Sequence, residues 1–444
     1  MLNPSASAST RRRIAVIGSG ISGLSVTHAL APQARLTLFE SASHFGGHSH
    51  TVDVRLEGVR HGVDTGFLVF NHRTYPRLAE LFGALGVVTA KSEMSFSVQV
   101  PQQGIEWSGS DLNGVFAQRR NLLRPRFLGM LADLLRFNRL VRALAEGHQP
   151  SRLGEPIADF LAREGFGETF RDWYLLPMLG CIWSCPTEQM LRFPLATMLR
   201  FCHNHGLIQV TDRPQWHTVA GGSRQYVEKM LTAIRNNGGD ARLRCAVRSV
   251  RRTAHGVVVV SDRGPEYFDE VVLACHSDRA LALLNDATAE ECSVLGAIRY
   301  QPNRAVLHTD ASLLPRRKRA WAAWNYERAA DDSVEQSRVC LHYLINRLQP
   351  VPWQTPVVVS LNPGRAPDPA KVIGEYAYSH PVFDAAAVAA QGRLAQIQGR
   401  SNVWFCGAWT RYGFHEDGLM SGLAVAAALG ERCHDAAERR REAA

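Results

Sequence analysis

The chain has 444 residues, 45% of them hydrophobic, and a formal net charge of +9 that comes from arginine, since lysine occurs only four times. This length accommodates about two or three globular domains with buried cores, and the lack of a sequence repeat excludes a solenoid. The positive charge favours anionic partners such as nucleotide cofactors, lipid head groups or nucleic acid, although it does not choose among them.

Cysteine spacing and hydropathy bear on metals and location. The nine cysteines lack the paired spacing of a zinc site, so we expect no bound metal and a reducing cytoplasm. The sequence has no apolar segment typical of a signal peptide, and no apolar run approaches the roughly 20 residues that span a bilayer. We therefore expect a cytoplasmic protein, soluble or peripheral on the inner face of the membrane. A nucleic acid partner is not expected.

The first predicted elements form a dinucleotide-binding loop. In "RRIAVIGSGISGLSVTHAL" a short strand, residues 14–17, precedes Gly18, Gly20 and Gly23 in G-x-G-x-x-G spacing, and a helix follows. Gly18 permits the tight turn, Gly20 lets a pyrophosphate approach the backbone, and Gly23 lets helix and strand pack closely. The N-terminus of the helix then faces the phosphates.

The next strand, "RLTLFE", ends in Glu40, where an acid is expected to meet the adenosine ribose hydroxyls and to disfavour a 2′-phosphate. A glycine pair, Gly46 and Gly47, follows in "SASHFGGHSHTV". The chain has no second G-x-G-x-x-G, so we expect the substrate, rather than a nicotinamide, to supply electrons.

A basic segment follows a helical stretch, "TYPRLAELFGALGV", and two β-like stretches, "SFSVQV" and "IEWSG". Residues 117–146 contain seven arginines and two acids, and two apolar sets recur there at helical spacing. The sets are Leu128, Leu131 and Leu135, and Phe127, Met130 and Leu134. Two interpretations stay open: an interfacial helix that docks on anionic lipid, or a helix of the substrate domain with a solvated basic face.

Aromatic residues mark two further stretches. "WYLLPMLGCIWSCP" supplies Trp173, Tyr174, Trp183 and Cys185, which either line a substrate cavity or pack in the core. A redox role for Cys181 and Cys185 is the weakest interpretation, because three intervening residues is not the thioredoxin spacing. A later group forms either a wall facing the cofactor or ordinary core: Trp321, Trp324, Tyr326, His342 and Tyr343.

Nucleotide-domain patterning returns after Gly221 and Gly222, where a predicted helix leads into the strands "ARLRCAVRSV", "GVVVVS" and "EVVLAC". Near the C-terminus, "NVWFCGAWTRYGFHEDGLMSGLAVAAAL" predicts a strand, "VWFCG", and a helix of small residues. The alternation of strands and helices at both ends predicts an α/β fold.

The glycine pair after Glu40 resembles the signature of two-dinucleotide-binding-domain flavoproteins, which include amine oxidases, protoporphyrinogen oxidase and phytoene desaturases. More closely, the chain resembles bacterial FAD-binding, amine-oxidase-like proteins that are similar to the N-terminal oxidase-like domain of plant cyclopropane fatty acid synthases. The segments that carry this resemblance are "DTGFLVFNHRTYPRLAELFGALGV", "EMSFSVQV", "WYLLPMLGCIWSCP", "RPQWHTVAGGSRQYV", "LHYLINRLQP" and "WFCGAWTRYGFHEDGLMSG". The resemblance spans residues 13–429 and implies FAD, a Rossmann-like fold and a link with methyl transfer to membrane fatty acyl chains.

The resemblance also implies two domains. A discontinuous FAD-binding domain would comprise residues 10–90, 215–290 and 400–435. An α+β substrate-binding domain would comprise residues 91–214 and 291–399. Ligand sites are common at such interfaces, so we expect the active site between the two.

The glycine motif and the resemblance together give a set of cofactor-binding residues. They are Gly18, Gly20, Ile21, Ser22, Gly23, Glu40, Ser41, Gly46, Gly47, His48, Thr65, Gly66, Phe67, Val247, Gly407, Glu416, Asp417, Gly418, Leu419 and Met420. Val247 would meet adenine through its backbone. His48 stands where many family members have arginine, and Ala408 where many have a ribityl-binding acid, so Glu416 or Asp417 is expected to take that contact. Asp417 could equally cap the helix.

The start of the C-terminal helix is expected to point at the N1 and O2 region of the flavin, where its N–H groups would stabilise the charge that reduction creates. His415 is the candidate catalytic residue. It would be either a general acid or base near N5 or, as we favour, a positioned polar residue, because hydride transfer does not itself need an acid.

The sequence thus leads to one main functional hypothesis. An FAD-dependent oxidoreductase would transfer a hydride from a lipidic substrate, a fatty acyl chain by preference, to flavin N5, as a desaturase or oxidase. One alternative is an amine oxidase, which an aromatic pair around the amine and a lysine near N5 would favour. The other is a flavoprotein partner of a lipid methyltransferase without turnover of its own.

Overall fold

The structure, a computed structural model, describes residues 11–146, 154–183, 187–196, 198–199, 214–328 and 339–442. Its strands are β1 Arg13–Ile17, β2 Arg35–Phe39, β3 Thr51–Leu56, β4 Val59–Asp64, β5 Phe70–Asn71, β6 Thr89–Ser92, β7 Phe96–Val100, β8 Ile105–Ser108, β9 Trp216–Val219, β10 Asp240–Arg242, β11 Val247–Arg252, β12 Val257–Ser261, β13 Gly264–Phe268, β14 Glu270–Leu273, β15 Arg299–His308, β16 Trp324–Glu327, β17 Cys340–Leu344, β18 Val358–Leu361, β19 Val372–Val382 and β20 Val403–Phe405. Its helices are α1 Ile21–Leu30, α2 Pro76–Ala84, α3 Leu112–Val115, α4 Pro125–Glu146, α5 Ile157–Arg163, α6 Glu168–Phe170, α7 Leu176–Trp183, α8 Thr187–Leu191, α9 Arg224–Asn236, α10 Ser277–Leu283, α11 Ala289–Leu295, α12 Ile345–Leu348, α13 Ala385–Gln391 and α14 His415–Glu442.

A five-stranded parallel sheet forms the cofactor half, in the order β10-β2-β1-β14-β20. After Arg13, strand β1 is apolar because both of its faces are covered, as is usual in parallel sheets. Ile14 and Val16 belong to one core cluster, with residues of α1 and α14, whereas Ala15 and Ile17 belong to a second cluster. Alternate side chains of one strand therefore hold two layers against the sheet.

The stretch "ARLRCAVRSV", which the sequence analysis predicts as one strand, is two strands in different sheets. β10 pairs in parallel with β2, whereas β11 joins an antiparallel sheet with β12 and β13. Arg244, between them, has a φ of 50°, in the left-handed region. The chain leaves the first sheet there, which an apolar pattern alone does not reveal.

A seven-stranded mixed sheet forms the other half, in the order β19-β15-β18-β17-β16-β7-β8. Its neighbours are antiparallel except β16 and β7, which run parallel. Helix α4 packs on this half: the Phe127 ring lies 6.2 Å from the Trp107 ring of β8, at 80°. The predicted α/β fold is confirmed, with a parallel sheet on one side and an α+β unit on the other.

The parallel sheet takes its strands from residues 13–39, 240–273 and 403–405, and the seven-stranded sheet from residues 96–108 and 299–382. The cofactor half is thus built from separated segments, while the exact domain boundaries stay a prediction. No helix in the described part of the chain has the length and apolar character needed to cross a membrane.

Candidate cofactor and active site

The loop between β1 and α1 is shaped for an anion. Gly18 has a φ of 103°, and a Cβ on it would lie 2.5 Å from the Ala274 carbonyl oxygen. A Cβ on Gly23 would lie 1.9 Å from the Gly18 oxygen. At Gly20, in contrast, a Cβ would meet no heavy atom of the described chain within 4 Å. Packing therefore requires the first and third glycines, whereas the second leaves open space in which a bound group could approach the backbone.

The start of α1 supports the same conclusion. Gly20 is its N-cap, no side chain of the described residues caps it, and its first turn has no acid. Its first N–H groups are left for a ligand, and the helix dipole favours a negative one. The residues fit the diphosphate of FAD.

The glycine pair lies directly across this loop. Gly46 and Gly47 have φ values of 112° and 58°. The Gly46 N–H donates to the Ser19 oxygen and Oγ, both at 3.1 Å. A Cβ on Gly47 would come within 3.1 Å of the Gly20 Cα. The pair thus closes over the phosphate loop at the distance that only glycine allows.

Glu40 lies buried at the end of β2, as the motif predicts. One of its carboxylate oxygens accepts the Ser19 N–H at 3.0 Å and the Ser19 hydroxyl at 2.5 Å, and the other accepts the Ala42 N–H at 2.8 Å. The adjacent Ser41 is exposed. These bonds fix the carboxylate beside the phosphate loop, and its contact with ribose stays a prediction, as does the adenine contact of Val247, the first residue of β11.

A group of rings, here called the histidine–tyrosine wall, lies where the glycine-pair loop meets β19. Its members are His48, His50, His276, His380, Tyr376 and Tyr378. The His48 ring lies 5.1 Å from Tyr378 and 5.5 Å from His380, and the His50 ring lies 4.8 Å from Tyr376. The wall joins the two halves of the molecule.

The rings of the wall are neutral at pH 7. Burial lowers the pKa of His50 to about 4, and burial with the neighbouring His276 lowers the pKa of His380 to about 4. Burial, and to a smaller extent the neighbouring His380 ring, holds the pKa of His48 well below its usual value. His48 therefore brings no fixed charge to the position where many family members have arginine. Its buried Nε2 has no hydrogen-bond partner among the described residues, which leaves it for a bound group.

Thr65, Gly66 and Phe67 connect the wall to His415. The Thr65 hydroxyl lies 2.6 Å from the Tyr378 hydroxyl, and a Cβ on Gly66 would lie 2.2 Å from the His48 oxygen. The Phe67 ring stacks on the His415 ring, with centroids 3.9 Å apart and planes at 10°. These three predicted residues therefore pack together beside the wall.

His415 is held by three contacts. Besides stacking on Phe67, its Nε2 lies 2.7 Å from the Tyr226 hydroxyl and 3.1 Å from the Ser49 hydroxyl. The two hydroxyls are themselves 2.5 Å apart. Burial lowers the pKa of His415 to about 3, so the ring is neutral at pH 7 and is a weak proton acceptor. This arrangement favours the positioned polar residue over a general acid.

We expect the stability difference between the parent protein and His415→Gln to depend on pH. In the unfolded chain the pKa of His415 is about 6.5, so below that pH the unfolded state binds a proton that the folded state does not. The free energy of unfolding of the parent therefore falls as pH falls. The loss is at most about 1.4 kcal/mol per pH unit, reduced by solvent screening of the partly exposed ring. Unfolding midpoints at about pH 7 and pH 5 measure it. A difference that does not change with pH would show that the folded His415 ring titrates like one in the unfolded chain.

Glu416 and Asp417 both bind the starts of helices. The two oxygens of Glu416 accept the N–H groups of Arg77 and Leu78, each at 2.9 Å, at the start of α2. Asp417 accepts the N–H of Phe414 at 3.0 Å, so it caps its own helix. Burial raises the pKa of Asp417 to about 6. Capping, one of the two roles expected of Asp417, is present, and the ribityl contact stays a prediction.

The small residues of α14 serve its crossing with α1. A Cβ on Gly418 would lie 2.8 Å from Ile21 Cγ2 and 3.0 Å from Ser22 Oγ, and one on Gly422 would lie 2.1 Å from Ser25 Oγ. Both helices therefore begin side by side at the phosphate loop. The remaining predicted residues lie around this crossing: Gly407 donates its N–H to Ser421 Oγ at 3.2 Å, Leu419 is buried, and the Met420 sulfur accepts from Arg411 at 3.7 Å.

The aromatic residues of the second predicted group lie elsewhere. Trp324 and Tyr326 lie on β16, and His342 and Tyr343 on β17, whereas the rings that meet the glycine-pair loop come from β19, at the edge of the sheet. Trp321 packs in a separate small cluster.

The first aromatic group, near residue 180, is only partly described. Trp173, Tyr174 and Cys181 are buried, and burial raises the pKa of the Cys181 thiol, against a redox role. The Trp183 side chain and Cys185 lie outside the described residues.

One group of metal-ligand types converges within the described chain: Glu327, Cys340 and His342. The His342 Nε2 lies 3.0 Å from a Glu327 oxygen and 3.5 Å from the Cys340 sulfur. The other ring nitrogen lies 2.6 Å from the Ser360 hydroxyl. These hydrogen bonds account for the cluster without an ion.

Sequence reasoning missed most of the wall and the partners of His415. Tyr376, Tyr378 and His380 alternate along β19, which places them on one face, and this spacing was a usable signal. Ser49 and Tyr226 carried none, because 177 residues separate them and only the fold joins them.

Asp64 also escaped sequence reasoning. It is 1% exposed and accepts hydrogen bonds from Thr51, from the Ser223 N–H and hydroxyl, and from Gln349 Nε2 at 2.9 Å. Burial raises its pKa to about 6. This carboxylate ties the β3–β4 hairpin to the substrate half.

Comparison with known proteins identifies the family. The model of the flavin containing amine oxidoreductase family matches residues 21–308. A search of curated proteins finds no significant match. Solved structures similar to this chain include a CLA-producing fatty acid isomerase from P. acnes, with 17% identity, a TM-score of 0.65, and coverage of 94% of this chain and 99% of that chain.

Two amine oxidases share the fold as well. Cyclohexylamine oxidase from Brevibacterium oxydans IH-35A has 17% identity and a TM-score of 0.66, with coverage of 96% of this chain and 100% of that chain. Putrescine oxidase bound to putrescine has 14% identity and a TM-score of 0.66, with coverage of 94% and 99%. At such identities the likeness shows the fold. The family match spans more than half of the chain, which therefore belongs to the flavin-containing amine oxidoreductase family and is an FAD-dependent oxidoreductase.

Proposed function

We propose that this oxidoreductase acts on a lipidic substrate, a fatty acyl chain. In the proposed reaction a hydride leaves one carbon of the chain for the cofactor and a proton leaves the adjacent carbon, so that a carbon–carbon double bond forms. Bound FAD supplies the two-electron acceptor, and dioxygen or another acceptor takes the electrons afterwards. The protein holds the acyl chain in place and keeps water away.

The neutrality of the histidine–tyrosine wall is the observation that supports this proposal most. Its imidazoles are uncharged at pH 7 because burial lowers the pKa of each, and its two tyrosines are also neutral. A wall of uncharged rings suits an apolar chain, since it offers no fixed charge that an acyl segment would have to desolvate. A solved protein of the same fold is a fatty acid isomerase, so the fold accommodates such substrates.

The amine oxidase alternative has support in the fold, because cyclohexylamine oxidase and putrescine oxidase share it. The sequence expectations attached to that alternative were an aromatic pair around the amine and a lysine near N5, and the lysine is the one that separates the two hypotheses. All four lysines, Lys91, Lys229, Lys318 and Lys371, are exposed. This distribution favours the lipid substrate over the amine. A supporting role beside a lipid methyltransferase rests on the resemblance alone.

Anaerobic mixing of the FAD-loaded protein with candidate substrates tests the proposal. We expect fatty acids or phospholipids to bleach the visible flavin absorbance, and the recovered lipid to have lost two hydrogens by mass spectrometry. Simple amines and polyamines are the matched comparison. Bleaching by amines and not by lipids would overturn the lipid assignment, and bleaching by neither, with a methyltransferase retained on the immobilised protein, would favour the supporting role.

A further inference from the structure

Five exposed leucines lie in one segment of the chain, whose two parts meet where the Phe116 ring lies 6.1 Å from the Phe127 ring. Leu112, Leu122, Leu123, Leu128 and Leu135 are 77%, 49%, 87%, 43% and 59% exposed, respectively. They lie within 24 residues of the sequence, on α3, on the turn before α4 and on α4 itself. Single exposed leucines are ordinary, but a local group of this kind marks an interaction surface.

The two faces of helix α4 explain why Leu128 and Leu135 are exposed. Its core stripe is Phe127, Met130, Phe137 and Val141, all 0% exposed. The opposite stripe, at spacings of four, three, four and three residues, is Leu128, Ala132, Leu135, Arg139 and Arg142, and every member is exposed. One face of the helix is thus core, as expected for a helix of the substrate domain, and the opposite face is exposed, apolar in its first half and basic in its second.

Four arginines of this segment lack a side-chain partner among the described residues, whereas Arg119 donates to Asn113 Oδ1 and Arg120 to the Gly104 carbonyl oxygen. Arg124, Arg126, Arg139 and Arg142 make no ion pair or side-chain hydrogen bond with any described residue. Arg136, in contrast, binds Asp133 and lies over the Phe166 ring. Four guanidinium groups beside exposed leucines form a surface that is both apolar and uncompensated in charge.

We propose that this leucine–arginine surface docks on a bilayer that contains anionic phospholipids. The leucines would enter the boundary between head groups and acyl chains, and the arginines would bind the phosphates. A second copy of the chain would set arginine against arginine across a two-fold interface, which repulsion disfavours. A nucleic acid would pair the arginines but leave the leucines in water. Docking does not depend on the proposed reaction, because it needs no turnover.

Flotation of the full-length, FAD-loaded protein with vesicles tests the surface. We expect the protein to float with phosphatidylglycerol-containing vesicles, weakly with phosphatidylcholine alone, and less at high salt. Leu123→Ser with Leu135→Ser should abolish flotation. Arg139→Gln with Arg142→Gln should reduce the partition coefficient by about five-fold per arginine. The matched controls are Val88→Ser, at a 71% exposed side chain, and Arg251→Gln, at an exposed arginine, and both should float like the parent.

Retained flavin absorbance shows that each variant is folded. Absence of flotation by the parent, or equal flotation of the surface variants and the controls, would overturn the proposal. So would a dimer in solution that Leu123→Ser with Leu135→Ser converts to monomer, because the surface would then serve self-association. Since flavin reduction is not read out, failure here leaves the proposed reaction standing, and failure of the reaction leaves the docking result standing.

Discussion

Replacing Gly20 by alanine is expected to weaken FAD binding at least about tenfold without harming the fold. Gly20 has a φ of −62° and a ψ of 174°, which any residue adopts, and a Cβ there meets no heavy atom of the described chain within 4 Å. The new methyl group instead occupies the path by which the diphosphate approaches the backbone. Flavin titration of the apoprotein measures the affinity, and thermal unfolding of the apoprotein measures the fold.

Two other glycines make the comparison decisive. Gly83→Ala, in α2, places a Cβ in similarly open space away from the phosphate loop. It should lower neither the FAD affinity nor the thermal stability of the apoprotein. Gly23→Ala places a Cβ 1.9 Å from the Gly18 oxygen and should lower both the stability and the affinity. If Gly20→Ala binds FAD as tightly as the parent, the diphosphate does not lie over this glycine.

Replacing Asp64 by alanine is expected to lower the free energy of unfolding by about 3 kcal/mol or more. The carboxylate is 1% exposed, and its removal leaves the donors of Thr51, Ser223 and Gln349 buried without an acceptor. Because Gln349 belongs to the substrate half and Ser223 precedes α9, the change should also loosen the contact between the halves. Denaturant unfolding of the apoprotein measures the loss.

Asp53 on the adjacent face of the hairpin provides the control. It pairs with Arg60 and Arg224 at 2.7 Å each, but these arginines are 71% and 37% exposed. Asp53→Ala should therefore cost less than about 1 kcal/mol. Equal losses for the two variants would mean that Asp64 contributes no more than a surface ion pair and that the buried network has been misjudged.

The histidine–tyrosine wall shows why part of the candidate site could not be predicted from the sequence. The phosphate loop is local: strand, glycines and helix lie within 18 residues, and each glycine has a steric reason that spacing alone conveys. His48 and Tyr378 come together across 330 residues because β19 is the edge strand that faces the cofactor half. Sheet order is a tertiary property. Without it, the sequence gives no reason to choose the rings of β19 over the two predicted aromatic groups as the wall of the site.

The stretch "GFHEDGLMSG" shows the same difference between what local sequence predicts and what long-range packing decides. Its glycines and small residues indicate a close approach, but the structure gives the partner as α1 at Gly418 and Gly422. Its acids are predicted to be cofactor ligands or helix caps. In the structure, Glu416 accepts N–H groups at the start of a different helix, α2. Small residues predict a close helix contact, and acids predict a capped helix start. Which helix is contacted or capped depends on the distant segment that folds against this stretch.

The sequence by itself determined the α/β fold, the dinucleotide loop at Gly18, Gly20 and Gly23, and the flavoprotein family, because these rest on short-range spacing and on repeated local patterns. Only the tertiary structure decided the neutral wall around His48, the contacts that hold His415, and the division of α4 into a core face and an exposed face. Those features depend on burial and on long-range packing, which lower the pKa of each histidine and select the helix face that meets water.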